Sequence, residues 1–361
     1  MGIQEKISEI EEEIKKTQYN KATEHHIGLL KAKLAKLRAQ IIRGSGKKSG
    51  GGFDVRKGGD ARAVLIGYPS TGKSTLLGKA TRAKAKSAAY AFTTLDVIPG
   101  LIEYKGAKIQ LLDLPGIISG AAKGSGRGRE VLSVARSADL VVIFMDVFNP
   151  DVKGLEDELY EVGIRLDSKR PDVIITPQES GGVIVNRTVK TPELDDKTIV
   201  SILSVYGIHN AAVTIREKIG QDEFIDVVVG NRVYCKSLRI VNKIDLVNEK
   251  YLRELRDKIG DFVGISAEAG VGIEEFKEKL YGRLELIRVY TKSRFEGADY
   301  EEPLVIKAGS TIEDVCISIH RELRENFKYA LITGPSAKFS NQRVGLGHVV
   351  KDGDVVQVFT R

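Results

Sequence analysis

Eight consecutive residues, Gly67-Tyr68-Pro69-Ser70-Thr71-Gly72-Lys73-Ser74, carry the spacing G-x-x-x-x-G-K-[ST]. In that spacing backbone N–H groups can wrap phosphate oxygens, the lysine can reach the β and γ oxygens, and the final hydroxyl can ligate Mg²⁺. The flanks fit the same chemistry. Ala63-Val64-Leu65-Ile66 reads as a short buried strand and Thr75-Leu76-Leu77 as a helix start, so the helix N-terminus would face the phosphates. The stretch implies a bound nucleoside triphosphate.

Three further groups of residues would complete such a site. Asp113-Leu114-Pro115-Gly116 ends the predicted strand Ile109–Leu112. Its carboxylate can hold Mg²⁺ through water, and the Gly116 N–H can sense a γ-phosphate. Asn242-Lys243-Ile244-Asp245 ends another predicted strand and is sharper. A carboxylate at Asp245 accepts from both N1–H and the 2-amino group of guanine, which adenine does not offer, and Asn242 shares in reading the base. Ser266-Ala267-Glu268 closes the base pocket with a backbone N–H for the guanine O6. These groups favour GTP over ATP. Tyr90-Ala91-Phe92-Thr93-Thr94-Leu95 lies between the first two groups, and a hydroxyl from Thr93 or Thr94 would complete the Mg²⁺ shell only while the γ-phosphate is present. After Gly116, glycines at 120, 124, 126 and 128 interleave with Arg127 and Arg129 and read as a second switch. Ile117 stands where Ras-like enzymes place a water-orienting glutamine. Intrinsic hydrolysis is therefore expected to be slow, or to depend on a monovalent cation, a backbone carbonyl, a partner, or Arg127 or Arg129 acting as an internal finger.

The elements that must position these groups are α/β in pattern. Strands are predicted at 62–66, 108–112, 140–145, 238–242 and 261–265, separated by helical patterns, as in a doubly wound, mostly parallel sheet. The site would then lie beyond the C-terminal ends of the strands. Upstream, Ile3, Ile7, Ile10 and Ile14 make one helical stripe, and a run with Leu30, Leu34, Leu37 and Ile41 makes a second. Together they predict an antiparallel helical hairpin over residues 1–43, too small to bury its own stripe. Residues 44–60 read as a basic glycine-rich linker. The G-domain pattern occupies 61–166 and 238–285, with a small α+β insertion at 167–237. Residues 286–361 have the order β-β-α-β-β of a β-grasp module, in which Ser310-Thr311-Ile312-Glu313 is a capping box opening a helix to about Phe327.

Composition narrows the partners. The chain has 361 residues, and its net charge of +7 is concentrated: Lys31 to Arg62 holds ten Lys/Arg against Asp54 and Asp60. That segment of +8 leaves about −1 for the remainder and points to an anionic partner, RNA above all. From Leu286 onward eleven Lys/Arg meet ten Asp/Glu, so charge alone does not mark that module. No apolar run nears the roughly 20 residues of a membrane span, and Met1–Lys16 is too polar for a signal peptide. Cys235 and Cys316 have neither metal nor disulfide spacing, which suits a reducing cytoplasm, and His25-His26 read as surface residues.

The motifs Gly67–Ser74, Phe92-Thr93-Thr94-Leu95, Asp113–Ile118 and Asn242–Asp245 resemble those of the Obg-type GTPases. Ile98-Pro99-Gly100, Lys105–Asp113, Gly230–Tyr234 and Phe327–Leu331 are similar to stretches of the developmentally regulated GTP-binding proteins, and the likeness covers nearly the whole chain. The resemblance implies a helix-turn-helix-like N-terminal hairpin, an S5D2-like insertion in the G domain and a C-terminal TGS domain. It also implies Mg²⁺-dependent hydrolysis of GTP to GDP, potassium stimulation, association with ribosomes or RNA, and a stabilising protein partner. By position Ser74 and Thr94 match the family's Mg²⁺-coordinating pair, and a hydrophobic residue at Ile117 is usual. Ser70 departs from the asparagine that related potassium-dependent GTPases often carry there. A GTP-binding scaffold with negligible turnover is the alternative reading, with Ile117 as its basis, and an RNA-binding module with a vestigial GTPase is a third.

Overall fold

The strand Ala61–Ile66 is buried at all six positions, apolar except for Arg62, whose guanidinium is paired inside the sheet with Gln110. It runs parallel to both Ala107–Asp113 and Leu140–Asp146, with Leu65 opposite Asp113 and Ile66 opposite Ile143. The computed structural model describes residues 2–18, 20–21, 23–44, 59–81, 98–114, 134–292, 297 and 299–361. Among these the chain divides into two units, one of residues 55–115, 137–150 and 236–361, the other of 1–54, 116–136 and 151–235.

In the first unit the strand order is Val263–Gly264, Val233–Asn242, Leu140–Asp146, Ala61–Ile66, Ala107–Asp113, Ile98–Tyr104. All neighbours are parallel except the last pair, so five strands end at the same edge of the sheet. The core between sheet and helices joins Leu65, Leu76, Leu111 and Phe144 to Phe276 and Leu280 of the helix Ile273–Arg283. The antiparallel strand Ile98–Tyr104 is not among the predicted ones. Pro99 and Gly100 are poor strand formers and are tolerated because this is an edge strand. Lys105 and Gly106 both have positive φ (49° and 81°), the two-residue turn that suits a tight hairpin.

Residues 286–361 belong to the same unit. Their five strands run in the order Leu304–Lys307, Leu286–Thr291, Asp354–Thr360, Phe327–Thr333, Gln342–Val344, with Val315 and Cys316 of the helix Ile312–Ile319 in their core. The capping box lies one residue later than predicted: Thr311 donates from N and Oγ1 to Asp314 Oδ2 (2.8 and 2.9 Å). The helix also stops earlier. His320 is extended, a short helix Arg321–Glu325 follows, and a strand begins at Phe327. Leu286 and Val305 join the core of the nucleotide-domain sheet, and Lys307 Nζ lies 2.6 Å from Asp139 Oδ1. The hairpin turn fits against the module as well: a Cβ on Gly106 would stand 2.6 Å from Pro303 Cγ. Beside it Tyr104 and Tyr281 pack edge to face at 5.9 Å, with the Lys105 ammonium over both rings.

In the second unit the helix Glu24–Gly44 buries Ile27, Leu30, Ala32 and Ala39. Ala32 and Ala39 join a core with Ile199, Ile202 and Leu203 of the helix Asp196–Val205 and Phe224 of Gln221–Val229. The second N-terminal helix thus buries its apolar surface inside the chain. Tyr206 donates to the Ala32 carbonyl (3.0 Å) and Lys36 to that of Val205 (2.6 Å). The first helix, Ile3–Lys16, has no buried residue and is tied on by polar contacts, Glu11 to Arg38 and Glu13 to His26. A sheet with Ala211–Ile215 between Val173–Pro177 and Val183–Arg187 completes the insertion. Among the described residues no helix is long and apolar enough to cross a membrane, and no cluster of His, Cys, Asp or Glu is arranged to hold a metal.

Candidate nucleotide-binding site

The loop after Ala61–Ile66 is shaped by its glycines. A Cβ on Gly67 would lie 2.0 Å from the Phe144 carbonyl oxygen, so the loop leaves the strand flush against its neighbour. Gly72 has φ +98° and immediately precedes the helix Lys73–Ala80. Ser70, a non-glycine residue, is held at φ +62°. Lys73 is buried and donates to the carbonyl oxygens of Gly67 (2.9 Å) and Tyr68 (2.7 Å), and Thr71 Oγ1 also donates to Tyr68 (2.9 Å). Burial pushes the Lys73 pKa down while the nearby Asp113 carboxylate opposes the shift. A cation in that position has every electrostatic reason to gain a phosphate oxygen as partner. Pro69 and Ser70 are exposed on the rim, and Thr75 is half-buried in the first turn of the helix.

Ser74 Oγ donates to Asp113 Oδ2 at 2.9 Å. The other carboxylate oxygen, Oδ1, is buried with no hydrogen-bond partner among the described residues. An orphaned anionic oxygen beside a hydroxyl is what a small hard cation coordinates, so the residues present fit Mg²⁺. Leu114 next to it is buried. Phe92, Thr93, Thr94, Pro115, Gly116 and Ile117, and with them Arg127 and Arg129, lie outside the described residues.

The base motif is tied directly to the phosphate loop. Asn242, 3% exposed at the end of its strand, donates from Nδ2 to the Thr71 carbonyl (2.8 Å) and accepts at Oδ1 from the Ala267 N–H (2.9 Å). Its amide therefore clamps three loops, a structural duty beyond the base reading expected of it. The Gly72 Cα packs so closely that an added Cβ would fall 2.3 Å from Asn242 Nδ2. Lys243, in left-handed backbone at φ +66°, sends its ammonium to the Ser70 carbonyl (3.3 Å). Asp245 is exposed in a single 3-10 turn, Ile244–Leu246. Ser266 is buried and accepts at Oγ from the Ala269 N–H (3.2 Å), while Glu268 faces solvent. The structure brings Gly67–Ser74, Asp113, Asn242–Asp245 and Ser266–Glu268 to one edge of one sheet. Asp146, whose Oδ2 is 2.6 Å from Lys243 Nζ, is not marked by any sequence motif. Its place at the C-terminal end of a parallel strand is the signal that would find it.

Three family descriptions match consecutive parts of the chain: 50S ribosome-binding GTPase over residues 62–177, the C-terminal region of that domain over 180–286, and the TGS domain over 287–360. Developmentally-regulated GTP-binding protein 2 of Bos taurus is 50% identical, with 99% of each chain covered. The chain belongs to the developmentally regulated GTP-binding protein family. Other relatives of comparable likeness are an uncharacterized GTP-binding protein of Methanocaldococcus jannaschii (52% identical, 99% of this chain and 93% of that one) and GTP-binding protein 1 of Schizosaccharomyces pombe (49%, all of both). Membership makes this a GTP-binding protein with a P-loop GTPase domain and a C-terminal TGS domain, of a class of GTP hydrolases that use Mg²⁺.

Several cations of the segment expected to meet an anionic partner also make contacts within the chain. Lys31 pairs with Asp222, Lys36 with the Val205 carbonyl and Arg38 with Glu11 and Glu161. Arg62 is fully buried and donates to Gln110 Oε1 at 2.9 Å. Among the described residues, four of the ten cations are therefore engaged within the fold.

Proposed function

We propose that the protein is a slow, Mg²⁺-dependent GTPase that serves as a translation-associated switch in the cytoplasm. The observation that carries the site reading is the Asn242 clamp, which fixes the phosphate loop and the base pocket as one body, together with the orphaned Asp113 oxygen beside Ser74. In this reading the P-loop amides and Lys73 bind the β and γ oxygens, Asp245 reads the guanine edge, and Ser74, Asp113 and Thr94 surround the ion. Mg²⁺, when bound, withdraws charge from the phosphate oxygens. Lys73, already desolvated, adds its own charge at the γ-phosphate without reorganising.

Ile117 offers no atom to orient the attacking water, so turnover rests on another group, and potassium stimulation is part of the proposal. Ribosome or RNA contact is assigned to the TGS domain and to the basic 31–62 segment, where Lys33, Arg43, Lys47, Lys48, Arg56 and Lys57 remain once the four cations engaged in the fold are set aside; a stabilising protein partner completes the picture. The test is single-turnover hydrolysis of GTP in sodium and in potassium buffer, with Lys73→Ala as control. Expected is slow cleavage, faster in potassium and abolished by the substitution. Binding without cleavage in either salt would replace the enzyme reading with that of a GTP-dependent scaffold, which Ile117 favours.

A further inference from the structure

We propose that Asp146 is a positioning residue for guanine-nucleotide binding and acts through Lys243. The proposal deepens the GTP-binding reading of this site and rests on it. Asp146 is the last residue of the strand Leu140–Asp146 and pairs in register with Asn242. It is 7% exposed, and both of its oxygens have defined duties. Oδ1 accepts from the N–H groups of Phe148 (3.1 Å) and Asn149 (3.0 Å), which fixes the side chain in a turn. Oδ2 accepts from Lys243 Nζ at 2.6 Å.

The turn that holds this carboxylate is itself anchored from two sides. The Val147 N–H donates to the Asn242 carbonyl (3.2 Å), and Tyr251, on the helix Glu249–Ile259, donates its hydroxyl to the Val147 carbonyl (2.9 Å). A fixed anion therefore faces a flexible lysine. Lys243 leaves the base-reading loop in left-handed backbone, and its ammonium reaches the Ser70 carbonyl on the phosphate loop at 3.3 Å. Its four-carbon stem thus spans the interval between the loop that reads the base and the loop that wraps the phosphates. Free lysine side chains sample many rotamers. The charge-assisted bond to Asp146 selects the one that keeps this stem in the span, so the wall of the pocket is in place before nucleotide arrives.

The experiment is calorimetric titration of the full chain with GDP in Mg²⁺ buffer. Asp146→Asn keeps an oxygen for the Phe148 and Asn149 amides but presents an NH₂ group to the ammonium. It should weaken GDP binding about tenfold. In a Lys243→Ala background the same substitution should change affinity less than twofold, because the group it acts on is gone. Wild-type affinity for Asp146→Asn, or an equal loss in both backgrounds, would overturn the proposal. Should Asp146→Asn not fold, the nearly isosteric pair Asp146→Glu and Asp146→Gln replaces it. Glutamate should bind GDP about tenfold more tightly than glutamine, and equal affinities would overturn the proposal in the same way.

Discussion

Replacing Asn242 by alanine removes two hydrogen bonds at once and leaves both backbone partners in place. The Thr71 carbonyl and the Ala267 N–H sit in residues that are 2% and 1% exposed, so water reaches neither readily. An unpaired buried polar group costs about 1–3 kcal/mol, so the pair amounts to about 2–6 kcal/mol. Because the two groups belong to the phosphate loop and the base-pocket loop, the loss is divided between folding and nucleotide affinity. If all of it fell on affinity, the lower bound alone would weaken binding about thirtyfold. Chemical denaturation with and without GDP, read alongside calorimetric titration, measures both shares. Asn242→Asp serves as the internal control: it still accepts from Ala267 but turns an oxygen towards the Thr71 carbonyl, so it too must lose ground. A combined loss below about 1 kcal/mol for the alanine variant, or an aspartate variant equal to wild type, would refute the clamp.

Asp245→Asn should move nucleotide preference from guanine towards xanthine, since an amide donates where the carboxylate accepted; competition between GTP and XTP reads this directly. Neutralising Lys47, Lys48, Arg56 and Lys57 together should lower the slope of log affinity against log salt for single-stranded RNA by about 3, without touching the cations that hold the second unit together. Hydrogen bonds from Arg288 hold the Asp352 carboxyl below its ordinary value of 3.8. Its contribution to stability is therefore complete above that value and lost as pH falls through the lower, folded-state value. Asp352→Asn should flatten the melting curve's pH dependence below about pH 4 and leave it unchanged near neutrality, as followed by circular dichroism. Gly106→Val, whose branched side chain would collide with Pro303, should lower the melting temperature by several degrees.

The strands that sequence made legible are those buried on both faces. Leu140–Asp146 reads as an apolar run up to its last residue, and Ala61–Ile66 and Ala107–Asp113 stay mainly apolar around Arg62 and around Lys108 and Gln110, because the sheet's interior is covered on both sides. Ile98–Tyr104 is hidden by Pro99 and Gly100, whose local preferences are overridden by pairing along a sheet edge. The strand predicted at 238–242 extends back to Val233, where the pattern Val-Tyr-Cys-Lys-Ser carries too few apolar residues to read as buried. In the TGS domain the expected long helix breaks at His320, whose backbone is extended, and residues 321–325 resume a short separate helix before the strand at Phe327. In the site, the phosphate loop and base motif were legible because their chemistry depends on local spacing. Asp146 was not, since a single aspartate gains meaning only from the lysine that folding brings to it. The same holds for Arg62, which counts as one more surface charge until the sheet closes over it.

Hairpin turns are ordinarily the places where related chains differ in length, since an added residue projects harmlessly into water. The bend at Lys105-Gly106 has no such freedom. Its ladder starts with Tyr104 opposite Ala107 and finishes with Ile98 opposite Asp113, so one extremity is the Asp113 carboxylate that accepts from Ser74 and the other abuts Pro303. A strut fastened at both ends cannot be lengthened without displacing what it touches, and tolerance to insertions must be found elsewhere in this chain.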